Sequence, residues 1–335
     1  MVQFRFGRRR LLPLAGLLAA LTAALATCPA QARQVLLVTN SGNNTVGEYN
    51  ATTGAAVNAA FVNGSQGLSG PVGLALDGNN HLFVANHGNN TVGEYDATTG
   101  ATINPTFING LGLSAPEGIV LDRNNHLFVA NASNNTVGEY DATTGATINA
   151  TFVNGQGLSF PAGMSLDGNN HLFVANILGT TVGEYDATSG TTINAAFISG
   201  QGPNGAAALA LDALGHMLVS NRNNSVGEYD ATTGAAIKVP FTAGLNGPFG
   251  MALDGNNHLF VANFNGSSVY EYNATTGAII NANFITGLSS PSFLLLVATV
   301  PEPSSLLLVA GAAGIIGGMW RRRKCVIALP SEPEA

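Results

Sequence analysis

The chain repeats itself, and the period limits what it can become. "HLFVANHGNNTVGEYDATTGATINPTFINGLGLSAPEGIVLDRNN" from His81 is followed by "HLFVANASNNTVGEYDATTGATINATFVNGQGLSFPAGMSLDGNN" from His126, and further copies begin at His171, His216 and His258, at spacings of 45, 45, 45 and 42 residues. A first copy without the histidine starts at Val35. Units of this length make solenoids, propellers or arrays. Inside one unit, "GLALD", "HLFVAN", "TVGEYD" and "TINPTFING" are short β-prone runs set between Gly, Asn and Asp turns, which predicts four strands per unit, a propeller blade. The run "LFVA" has no polar alternation, so both of its faces must be buried, as between neighbouring blades. With 42 glycines in 335 residues and Asn and Thr at high density, helical repeats are disfavoured.

The ends complete a ring. The first copy begins at its second strand, while the last ends with an unpaired first strand, "PSFLLLVAT". Joining residues 35–64 to Pro291–Thr299 predicts a sixth blade built from both termini, which removes two exposed sheet edges. The expectation is an all-β, six-bladed β-propeller of four-stranded blades over residues 33–299. It is flanked by a signal peptide at 1–32 and a short C-terminal transmembrane helix within 300–324, with a cytoplasmic tail at 325–335.

The pattern P-x-G-[IVLM]-x-[LV]-D, H-L-F-V-A-N, N-x-x-V-x-x-Y-D-x-x-T-G resembles the NHL repeat over residues 34–299. The resemblance implies the propeller but not an activity, since NHL-like propellers include binding modules, lactonases and lyases.

The two chain ends carry addresses. Four arginines in "MVQFRFGRRR", an apolar run and the triplet Ala30-Gln31-Ala32 read as a secretory signal cleaved after Ala32. A lipoprotein reading on Cys28 is the alternative, with the larger Thr27 before it. The only other cysteine is Cys325, so the repeat region has no disulfide or thiol chemistry. Residues 304–320 are apolar, about 25 Å as a helix at 1.5 Å per residue, barely enough to span a bilayer. Arg321, Arg322, Arg323 and Lys324 follow and would stay cytoplasmic. The order Val300-Pro301-Glu302-Pro303, apolar helix and basic cluster resembles the PEP-CTERM sorting signal. That resemblance implies an exosortase-type enzyme as partner, transient anchoring through the helix, and a Gram-negative host that makes extracellular polysaccharide. The tail after Lys324 is longer than that family's usual few residues.

Between Arg33 and Thr299 stand four basic residues (Arg33, Arg123, Arg222, Lys238) and sixteen acidic ones. Such a body repels phosphate backbones, so no nucleic-acid partner is expected.

Several repeated residues invite chemistry. His81, His126, His171, His216 and His258 open the second strand, away from the axis, so they cannot converge on one ion and are read as supports for the "DGNN" turn. Glu48, Glu94, Glu139, Glu184, Glu228 and Glu271 occupy matching environments, whereas an acid/base pair needs unlike ones; they are read as a rim or cross-blade hydrogen bonds. Asp77, Asp122, Asp167, Asp212 and Asp254 are read as bonding to the backbone two residues on. Asn40, Asn86, Asn131, Asn176, Asn221 and Asn263 close the second strand. Turn capping is their main reading. In an ion-binding reading, Asn86, Asn131 and Asn176 resemble ligands of a Ca2+-type ion in gluconolactonase-like propellers. The Asn-x-Thr triplets are read as turn chemistry.

The residues that break the repeat are more informative. After the constant Asn stand Ser41, His87, Ala132, Ile177, Arg222 and Phe264, all different. The loops into the first strand also vary, and one carries Phe160. Both fall on one face, opposite the constant "DGNN" and "DATTG" turns, as a binding surface on a regular scaffold would. Phe264 and Phe160 could stack on sugar rings while Arg222 and His87 supply hydrogen bonds. The expected function is an exported, surface- or matrix-associated binding or structural module whose partner is polysaccharide or another surface protein. The competing reading is a propeller hydrolase or lyase with a divalent ion at the axis.

Overall fold

The computed structural model describes residues 33–110, 112–199 and 205–299, excepting the side chains of Arg33 and Thr299. The signal peptide, with Ala30 and Ala32, and the sorting segment and tail, with Val300–Pro303 and Arg321–Lys324, lie outside the described residues. Among the described residues no helix is long and apolar enough to cross a membrane.

Six antiparallel four-stranded sheets make a propeller. The blades span residues 71–109, 116–154, 161–198, 206–242 and 248–286, and the sixth joins Pro291–Thr299 to residues 33–63. In that sixth blade Pro291–Thr299 is the inner strand, paired antiparallel to Arg33–Asn40 with Val35 opposite Val297 and Leu37 opposite Leu295. Thr39 Oγ1 accepts from Phe293 N at 2.8 Å and donates to Val72 O of the next blade at 2.8 Å. The closure read from the copy count is present.

The run "LFVA" behaves as its composition demands: Leu82, Phe83, Val84 and Ala85 are fully buried. Each such side chain contributes about 1.5–3 kcal/mol when buried. Six apolar clusters each join two adjacent blades and so complete a ring; Phe83, Val92 and Ile108 meet Leu127, Val129 and Tyr140, for example. The repeated tyrosines lie in these seams, and burial pushes Tyr95, Tyr140 and Tyr185 up to about 12. At the axis the inner strands approach backbone to backbone. A Cβ on Gly118 would sit 2.3 Å from Ala162 O, which is why the third residue of P-x-G has no side chain.

The constant turns gather on one end. Asp77 Oδ1 accepts from Asn79 N at 2.9 Å and His81 N at 2.7 Å, the predicted turn. His81 Nδ1 lies 3.0 Å from Asp77 Oδ2 and 3.4 Å from Glu94 Oε1, and the same trio recurs in the next four copies. In these five blades the glutamates therefore face a histidine of their own blade. The register of the second and third strands sets this up, with Phe83 opposite Glu94 and His81 close by. Partial burial holds Glu94, Glu139, Glu184 and Glu271 above the usual carboxylate range.

Candidate functional site at the axial mouth

The other end is held differently. The residue after each constant Asn donates its backbone N–H to the carbonyl just before the inner strand. These bonds run from Ser41 to Ser290, His87 to Gly70, Ala132 to Ala115, Ile177 to Phe160, Arg222 to Gly205 and Phe264 to Gly247, at 3.0–3.2 Å. The acceptor residue has a left-handed backbone in all six blades, with φ from +48 to +73. Main-chain bonds thus fix the position, and the side chain is left free to differ.

The strand-closing asparagines support this arrangement. Asn86, Asn131 and Asn176 accept backbone N–H bonds from Ser69, Ser114 and Ser159 at 3.0–3.2 Å. Their amide oxygens therefore cap the loop, and among the described residues no group of three or more His, Cys, Asp or Glu could hold a metal ion. A second asparagine ties neighbouring blades: Asn90 Oδ1 accepts from Ala115 N and Asn135 Oδ1 from Phe160 N, each at 2.7 Å.

At the centre of this face is a cavity of about 390 Å³ to which all six blades contribute. Of the variable residues, Ser41, His87, Ile177, Arg222 and Phe264 line it, as does Phe160. Ala132 does not; it is 2% exposed. The wall also includes Glu117, Phe249, Val72 and Ser292. These last four are the second residue of their inner strands. The sequence pattern P-x-G treated that position as free, yet it reads Val72, Glu117, Ala162, Ala207, Phe249 and Ser292, as varied as the loop position.

The cavity has two characters. One side is apolar, with Ile177, Ala162 and Ala207 packed together and Phe160 and Phe249 against them; Phe249 also meets Phe264 at 6.0 Å between ring centroids. The other side is charged. His87 Nδ1 lies 2.9 Å from Glu117 Oε1, and this hydrogen bond raises the imidazole above its ordinary value despite an opposing effect of burial. Glu117 is 6% exposed, and its second oxygen, Oε2, is buried without a hydrogen-bond partner. Glu117 is the only carboxylate among the lining residues. Arg222, from the blade diametrically across the ring from His87, is exposed and has no ion pair among the described residues.

Phe160 is held at φ +54, at a place where three other blades have glycine. A bulky side chain there costs about 1–2 kcal/mol, and such strain gathers at functional positions.

The family model described as outer membrane protein assembly factor BamB matches residues 42–283, and that of the PEP-CTERM protein-sorting motif matches residues 299–324. No curated protein matches the sequence. Among solved structures the chain is similar to one in the crystal structure of a nidogen/laminin complex, with TM-score 0.61 and 14% identity over 78% of this chain and 98% of that one. It is equally similar to a protein of unknown function from Bacteroides caccae, with TM-score 0.61 and 14% identity over 80% and 99%. At that identity the likeness concerns the fold alone.

Proposed function

We propose, from the premise that the chain belongs to the propeller family described as outer membrane protein assembly factor BamB, that it is an exported binding module whose ligand enters the axial mouth. Export and processing by an exosortase follow from the PEP-CTERM motif at residues 299–324. The family match supplies the propeller without the NHL name, and NHL-like remains our description of the blade pattern. The observation that carries the proposal is the kind of residue gathered at the mouth: phenyl faces of Phe160, Phe249 and Phe264 stand beside the Glu117–His87 pair and an exposed Arg222 around one cavity. The ring brings these positions together whatever stands there; an apolar wall with a few convergent polar groups is what a ligand site adds.

A surface glycan is the ligand class we favour, because the sorting signal resembles those of polysaccharide-producing bacteria and the wall combines phenyl faces with hydrogen-bonding side chains. The hydrolase or lyase reading would rest on the Glu117–His87 pair, but the lining offers no second carboxylate in an unlike environment. Replacing His87, Arg222 and Phe264 together with Ala should abolish retention at the cell surface or matrix while the protein stays folded, with a modest fall in melting temperature from loss of the His87–Glu117 bond. Unchanged retention, with loss on mutating the "DATTG" turns instead, would place function on the opposite face.

A further inference from the structure

We infer that the axial cavity takes a single terminal sugar unit bearing a carboxylate, a hexuronate at a chain end, and not an internal stretch of polymer. The inference rests on the preceding reading and narrows its ligand. All six blades contribute to the wall, so the cavity is closed radially, and a polymer cannot lie across it as it would in a groove. At about 390 Å³ it is near the small end of the roughly 300–1,000 Å³ range of small-molecule sites.

The wall chemistry matches such a unit part by part. Glu117 Oε2 is a buried acceptor with no hydrogen-bond partner among the described residues. A buried carboxylate oxygen left so is costly, and a small rotation of the Glu117 side chain toward the cavity it lines lets a ring hydroxyl supply the missing donor. Phe160, Phe249 and Phe264 offer surface to the apolar C–H face of a pyranose. Arg222, exposed and without an ion pair among the described residues, presents a planar fork that suits a carboxylate. His87 is already engaged by Glu117, which leaves Arg222 as the cation free to select an anion.

Charge restricts the unit to an end. The body carries sixteen acidic against four basic residues between Arg33 and Thr299, so an acidic polymer lying along the surface would be repelled unit by unit. One carboxylate inserted beside Arg222, with the rest of its chain leading away into solvent, avoids most of that repulsion.

The test is calorimetric titration of the purified full-length chain with D-glucuronate, D-galacturonate, D-glucose, D-galactose and trigalacturonate. At least one uronate should bind at least about tenfold more tightly than its neutral counterpart, the size expected for one hydrogen bond to a charged group. Trigalacturonate should bind one per protein, within about threefold of the monosaccharide, because a single unit is engaged. Arg222→Gln should erase the acid-over-neutral preference, while Glu117→Gln should weaken all the sugars that bind. Equal binding of neutral sugars, a preference untouched by Arg222→Gln, an affinity that climbs with chain length, or no binding of either uronate would each overturn the inference. If surface retention is lost in the His87, Arg222, Phe264 triple variant but no uronate binds, the hexuronate inference falls and the binding-module reading stands.

Discussion

At the turn end of each blade repeated side chains hold the loops, and at the axial mouth the residue that varies is seated by its main chain. Asp77, His81 and Glu94 interlock, Asn80 Nδ2 donates to Thr98 Oγ1, and Asp96 Oδ1 accepts from the backbone N–H groups of Thr98 and Thr99, so the Asp, Asn and Thr residues of "DGNN" and "DATTG" have partners that depend on their identity. Across the molecule, His87 and its five counterparts are fixed through N–H groups that every residue type but proline possesses. The difference explains the repeat statistically and physically at once. The Asp, Asn and Thr positions of one end cannot vary without losing bonds, and the variable position of the other can change without losing the main-chain bond that seats its loop.

The largest effect that would sharpen this contrast is at Gly100. Its φ is +71, and a Cβ there would meet Phe61 O of the preceding blade at 2.1 Å. The last residue of "DATTG" is therefore constant because that turn end seats against a neighbour's outer strand. Gly100→Val combines left-handed strain with a backbone clash and should cost about 3 kcal/mol or more, measured by denaturant unfolding. At the mouth, Ile177→Val should cost less than about 1.5 kcal/mol. A Gly100→Val protein of wild-type stability would mean that the turn end is not held as tightly as its geometry requires.

These two ends were unequally legible. The blade count, the four strands and the closure by Pro291–Thr299 followed from copy number and apolar pattern, because packing between blades leaves little choice for "LFVA". The loop position of Ser41, His87, Arg222 and Phe264 was legible because six unlike residues follow a constant Asn. Glu117 and Phe249 were hidden, since they lie within a strand pattern where variation looked like tolerance. Only the ring brings the second residue of the inner strand beside the loop residue. The partners of Glu94 were likewise a matter of register, which the pattern alone did not settle between a rim and a cross-blade bond.

A middle-sized effect concerns charge at the mouth. The Glu117 hydrogen bond raises the His87 value above the ordinary imidazole one, with burial opposing. The folded value thus exceeds the unfolded one, near ~6.5. The pair contributes stability that is fully present below that pH and is lost as pH rises through the folded value. In Glu117→Gln, His87 should titrate lower by NMR, and the part of the melting-temperature profile lost above pH ~6.5 should flatten. The equivalent change at the turn end, Glu94→Gln, should leave His87 untouched. An unaltered His87 titration in Glu117→Gln would break the assignment of the pair.

The smallest expected effect on stability is the most telling about function. Phe160 occupies a left-handed position at φ +54, where the corresponding residues Gly70, Gly205 and Gly247 are unstrained. Phe160→Gly relieves about 1–2 kcal/mol of backbone strain, but it adds unfolded-state freedom of about 0.5–1 kcal/mol and removes apolar contact with Ile177 and Phe249. These contributions oppose one another, so the unfolding free energy should move by no more than about 1 kcal/mol in either direction. Ligand capture should nevertheless fall, because the ring that lines the cavity is gone. A core aromatic replaced by glycine would cost far more, about 3–5 kcal/mol as for Phe to Ala. A large loss of stability would therefore show that Phe160 is held for packing, whereas unchanged stability with weakened capture would show a strained side chain maintained for what enters the mouth.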